Sequence, residues 1–108
     1  MKLIMAIVSS DDAQSVIKSL TQEGFSITKL ATTGGFLMAG NVTIITGVDD
    51  DRVDAAISII RDKSKSRSQT VSMLSDSSIG GLMNVPLVDV TVGGATIFVL
   101  PVDRFEKI

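Results

Sequence analysis

The 108-residue chain contains no cysteine, no histidine, no tryptophan and no tyrosine. Without cysteine there is no disulfide, no thiolate zinc site and no thiol nucleophile. Without histidine there is no imidazole to act as acid, base or metal ligand. The chemistry left belongs to carboxylates, lysines, hydroxyls and backbone amides. That inventory fits a ligand-binding or regulatory domain better than a hydrolase, and no motif sets a nucleophile beside a base, so no enzyme activity is expected.

Long apolar runs are also missing. The longest, Leu3 to Val8, has six residues, whereas a membrane-spanning helix needs about 20. The N-terminal segment does not read as a signal peptide, because a strand pattern runs into the polar stretch Ser9-Ser10-Asp11-Asp12. A cytoplasmic protein without membrane attachment is expected. Nor is there an excess of positive charge: 10 Lys and Arg against 12 Asp and Glu leave a net charge of −2. A nucleic-acid polymer is therefore not the expected partner.

What is present is enough apolar sequence, 44% of the chain, to bury the core of one domain spanning residues 1–108. Lys2 to Val8 reads as a buried strand. Ser9 to Asp12 caps a helix whose apolar face is Ala13, Val16, Ile17 and Leu20, and Gly24 closes it. Phe25 to Ala31 alternates as a second strand, and Val42 to Val48 is a third. Asp49-Asp50-Asp51 then caps a second helix, in preference to holding a metal ion, since adjacent carboxylates do not converge on one cation unaided. The run Arg61, Lys63, Lys65 and Arg67 that follows reads as a solvated helix end.

The two helices repeat. A shift of 40 positions lays Ala13 on Val53, Val16 on Ala56, Ile17 on Ile57 and Leu20 on Ile60. Each follows a strand and an acidic cap, which predicts an α+β, ferredoxin-like βαββαβ sandwich with both helices on one face of the sheet. The other face must find a partner, so oligomerisation is expected. Gln69 to Leu74 is predicted as the fourth strand and residues 75–86 as a long loop. Leu87 to Val92 and Ala95 to Leu100, joined by Gly93-Gly94, are predicted to form an extra C-terminal hairpin.

The segment TTGGFLMAGN, residues 32–41, breaks every period. Gly34 and Gly35 let backbone amides approach a phosphate, Phe36 offers a ring for stacking, and Asn41 can both donate to and accept from an adenine edge. The same residues also suit a tight turn with Phe36 and Leu37 in a subunit contact, and their spacing matches neither the dinucleotide fingerprint nor the P-loop.

At KLATTGGFLMAGN (residues 29–41), VDDDRV (48–53) and VGGATIFVLPVD (92–103) the chain resembles the bacterial cyclic-di-AMP receptors, PII-like signalling proteins of Gram-positive bacteria. The three blocks keep order and spacing over essentially the full length. The resemblance implies a non-enzymatic homotrimer of ferredoxin-like subunits that holds cyclic-di-AMP in clefts between neighbours, without cofactor or metal, and relays binding through loops to a protein. It implies that Thr28 and Asn41 hydrogen-bond an adenine, that Gly35, Phe36 and Leu37 enclose that base, that Gly47 allows close approach, and that Phe98 comes from the neighbouring subunit.

The chain departs from the family pattern at Gly24 to Thr28, where members commonly show Asn-x-Arg-x-Thr and this chain has Ser26. It departs again in the long loop and in the tail, Phe105 to Ile108. These differences leave an alternative: a PII-like protein-interaction module that has weakened or lost cyclic-di-AMP binding or takes another adenine nucleotide. A small-metabolite regulatory domain of the ACT type is a third reading.

Overall fold

The computed structural model describes residues 1–30, 40–72 and 87–108. Strand β1 (Lys2–Ser9) runs into helix α1 (Ser10–Gln22), and the Ser9 side chain caps it by accepting from the Asp11 amide at 3.3 Å. Gly24, at φ +89°, takes the left-handed turn that ends the helix. Strands β2 (Thr28–Leu30) and β3 (Asn41–Val48) follow. A 3-10 turn (Asp50–Arg52) then leads into α2 (Val53–Lys63). Strands β4 (Arg67–Ser72), β5 (Leu87–Val92) and β6 (Ala95–Pro101) complete the chain.

Four strands make an antiparallel sheet in the order β2-β3-β1-β6, while β4 and β5 form a separate two-stranded ribbon. With two helices packed on the sheet, the arrangement is compatible with a ferredoxin-like fold. On β1 the residues Ile4, Ala6 and Val8 face the helices, as period-two alternation requires. They meet Val16 and Leu20 of α1, Ala56 and Ile60 of α2, and Ile44 and Val48 of β3. The 40-residue repeat is thus real in space: Val16 and Ala56 are both buried, as are Leu20 and Ile60.

Two expectations about the last third are corrected. The fourth strand of the sheet is β6, not the 69–74 segment, whose residues up to Ser72 belong to the ribbon. Gly93-Gly94 does not close a hairpin either, because β5 pairs with β4 and β6 pairs with β1. The physical reason lies in side-chain character. β6 offers Ile97 to the core and an apolar strand to central β1, whereas β4 begins Arg67-Ser68-Gln69-Thr70 and has nothing to bury there. The second strand is also shorter than expected, because Phe25 leaves the strand path and drops into the core, 6% exposed.

The Arg67 side chain is 47% exposed, but it is paired and not the free helix end expected. Its guanidinium grips the carboxylate of Asp12 with two hydrogen bonds, at 3.0 and 3.2 Å, and donates a third to the Lys65 carbonyl at 3.1 Å. Asp12 is 7% exposed, so the ribbon is tied to the first turn of α1 by a largely buried anion. The hydrogen bond to Asp12, and then its charge, push the Arg67 pKa up. Gly93 lies against this clamp: a Cβ there would sit 2.6 Å from both the Arg67 Nη1 and the Lys65 carbonyl oxygen.

Gly93→Ala therefore combines a φ of +82° with a steric clash, and is expected to destabilise the protein by clearly more than about 1 kcal/mol. Gly40→Ala, at φ +123° with no described atom within 4 Å of the added carbon, is expected to meet the backbone penalty alone. Urea unfolding of the two variants should rank Gly93→Ala as the more damaging; equal losses would show that the close approach carries no energy.

Candidate functional site

The alternation that sends Ile4, Ala6 and Val8 into the core sends Leu3, Met5 and Ile7 to the opposite face, which neither described helix covers. Register then fixes what stands beside them. Thr28, Ile45, Met5 and Phe98 oppose one another across all four strands. Gly47, Leu3 and Leu100 form the next row. On the other side come Leu30, Thr43, Ile7 and Thr96, and beyond them Asn41 opposite Ser9.

Thr28, Asn41, Gly47 and Phe98 thus share one face of the sheet. Thr28 and Phe98 are three strand spacings apart, about 14 Å. Thr28 and Asn41 are offset by four residues along β3, about 13 Å. Gly35, Phe36 and Leu37, with the rest of the glycine-rich segment up to residue 39, lie outside the described residues, as do residues 73–86, which include the segment expected as a long loop.

Hollows mark both ends of this face. One of about 280 Å³ is lined by Thr28, Gly47, Leu3 and Ile45, with Phe105 of the tail at its side. At the opposite end Asn41, Ser9, Ile7 and Thr96 line a hollow of about 180 Å³. A third, of about 240 Å³, adjoins the first through Ser26 and Gly47 and is bounded by Phe25, Asp49 and Arg52. Ser26 is held there by its carbonyl, which accepts from the Thr46 hydroxyl at 2.7 Å. A larger hollow of about 440 Å³ lies between the end of α2 and the start of β6, lined by Arg61, Lys65 and Ala95 among others. None of the sequence-predicted residues lines it, and it opens at the negative end of the helix dipole.

The fold itself places little demand on Gly47. Among the described residues a Cβ there would meet only the Met1 side chain, at an ordinary 3.8 Å from Sδ and 4.0 Å from Cε, and its φ needs no glycine. What the missing side chain does is keep the floor of the 280 Å³ hollow low. The Met1 ammonium beside it pairs with Asp50 at 3.0 Å. That hydrogen bond, and then its charge, hold the Asp50 carboxyl below the usual carboxylate range.

Of the lining residues, Ser26 and Phe105 entered the sequence reading only as departures from the family pattern, and Arg52 escaped it altogether. Arg52 was hidden because Asp49-Asp50-Asp51 read as a simple cap. These acids instead lead into a 3-10 turn that carries Arg52 over the Phe25 ring, 4.2 Å from its centre. Among the described residues no group of three or more acidic side chains converges to hold a metal, and no helix is long and apolar enough to cross a membrane.

The family model for cyclic-di-AMP receptors matches residues 1–108. The chain belongs to the cyclic-di-AMP receptor family. Among solved structures it is similar to a protein from Pediococcus pentosaceus described as functionally unknown. The two share 36% identity at a TM-score of 0.75, over 99% of this chain and 96% of that one.

Because glycine within a strand costs about 0.5–1 kcal/mol relative to alanine, Gly47→Ala is expected to leave stability unchanged or raise it by that amount. Thermal and urea unfolding check this. A clear loss of stability would mean that the fold, not the hollow, requires the glycine.

Proposed function

We propose that the protein is a non-enzymatic signalling receptor that binds cyclic-di-AMP in clefts between the subunits of a PII-like homotrimer and passes the event through its loops to a protein target. The observation that carries this reading is the shared placement of Thr28, Asn41, Gly47 and Phe98 on the uncovered face, with a glycine the fold does not need at the floor of a hollow. Family membership supports the ligand class. Thr28 and Asn41 hydrogen-bond adenine, Phe36 and Leu37 enclose it, and Gly35 offers its amide to phosphate.

The same face supports assembly into the trimer. Leu30 is 38% exposed, Phe98 50% and Leu100 41%. They adjoin Leu3, Met5, Ile7 and Ile45 in one apolar surface of the kind that soluble proteins bury against a partner. In that assembly Phe98 serves the cleft of the neighbouring subunit.

Calorimetric titration with cyclic-di-AMP, on protein whose trimeric state is established by sedimentation, tests the reading. Saturable binding is expected, and Phe98→Ala should weaken it by about tenfold or more, the usual scale for removing an aromatic from a base. A trimer that gives neither heat nor thermal shift with excess ligand refutes the receptor reading.

One observation favours a second reading, an interaction module with weakened ligand binding. Ser26 occupies the hollow where family members commonly carry arginine. Ser26→Arg adds a charged donor and should then tighten cyclic-di-AMP binding by about tenfold or more. Unchanged affinity counts against this explanation.

A further inference from the structure

Whatever occupies these hollows as a cyclic dinucleotide brings two negative phosphates, and an anion needs a cation or oriented donors when it leaves water. Among the described residues lining the hollows that contain Thr28, Gly47 or Asn41, one basic side chain is present, Arg52. The Met1 ammonium also borders two of them, but it is already paired with Asp50.

Arg52 is held in place without being neutralised. Its guanidinium lies over the Phe25 ring at 4.2 Å and donates through Nη2 to the Glu23 carbonyl at 3.0 Å. Its backbone amide donates to the Asp49 carbonyl at 2.9 Å, fixing the turn that carries it. It forms no ion pair among the described residues. A guanidinium has five N–H donors, and Glu23 takes one. Ring stacking and a neutral acceptor therefore fix its position, while its charge and further donors remain for an anion.

We propose that Arg52 is a phosphate-binding residue of the receptor site, supplying from the 3-10 turn a positive charge that Ser26 does not provide. The inference rests on the receptor reading above. The hollow of Arg52 joins that of Thr28 through Ser26 and Gly47. A phosphate seated over the low floor at Gly47 is thus within the same continuous surface as an adenine held at Thr28. One group opposes it: Asp49 lines the same hollow, and its side chain makes no capping hydrogen bond. A carboxylate there repels the phosphate that Arg52 attracts, which gives the two residues opposite effects on affinity.

The test is calorimetric titration of the full-length protein with cyclic-di-AMP, at low and high salt, for the wild type and for R52Q, R52K and D49N. Loss of one charge-assisted hydrogen bond should make R52Q about ten- to a hundredfold weaker. Its affinity should also depend less on salt than that of the wild type. R52K should recover part of the loss, since lysine keeps the charge but not the fork of donors. D49N should bind more tightly, by about two- to fivefold. A merely structural role for Arg52 predicts neither the flatter salt dependence nor the gain in D49N. Wild-type affinity in R52Q, or no gain in D49N, overturns the proposal while the wild type still binds. If the wild type itself does not bind, the receptor reading falls and takes this inference with it. Should R52Q fail to fold, as judged by its thermal transition, R52K and D49N decide the matter.

Discussion

Strand β1 is apolar on both faces, and two helices can cover only one of them. Ile4, Ala6 and Val8 are essentially fully buried beneath α1 and α2, which fixes the register of β3 and β6 on either side. The same strand then obliges Leu3, Met5 and Ile7 to stand on the opposite face, together with Ile45, Phe98 and Leu100. A one-residue slip would exchange the two sets, so core packing and the make-up of the outer face are a single constraint. Thr28, Asn41, Gly47 and Phe98, the site residues whose register is known, all lie on this second face.

The Asp12–Arg67 pair plays a different part. It joins the first turn of α1 to the root of the ribbon, across 55 positions of sequence. The Asp12 carboxylate is largely removed from water, so deleting Arg67 alone would strand a buried negative charge, which is more damaging than losing an ordinary surface ion pair. Gly93 is the complementary requirement, because only a residue without a side chain fits against the paired groups as the chain passes from β5 to β6. The clamp lies beside the Asn41 hollow, of which Gly93 and Gly94 form one wall. The candidate site and the ribbon root are thus built from adjoining pieces.

The first two-thirds of the fold is legible in the sequence because its signals are local. Period-two and period-3.6 patterns place β1, α1, β3 and α2 within a few residues, and the repeat relating Val16 to Ala56 and Leu20 to Ile60 announces two equivalent helices. The last third is not, because strand partners are chosen by non-local competition. Gly93-Gly94 carries the local signature of a hairpin, yet the place beside β1 goes to the strand with apolar residues to bury, and an ion pair invisible in sequence holds the ribbon aside. For the site, Thr28, Asn41, Gly47 and Phe98 came from motif resemblance, and their common face came only from register. Arg52 had no motif at all. A charge following three acids reads as cap chemistry until the turn is seen to lay it over Phe25.

The composition gains meaning from this geometry. A chain without histidine or cysteine has no side chain whose ordinary pKa brings a change of charge between about pH 5 and 8. The side chains around the Thr28 and Asn41 hollows are hydroxyls, an amide, aliphatics, a phenylalanine and a methionine, and the adjoining hollow adds Arg52 and Asp49. Arginine stays charged throughout that range, and its attachment to Phe25 and Glu23 involves no titrating partner. Occupancy of such a surface follows the concentration of its ligand and, through one guanidinium, the ionic strength. That behaviour suits a receptor whose output should track a single small molecule.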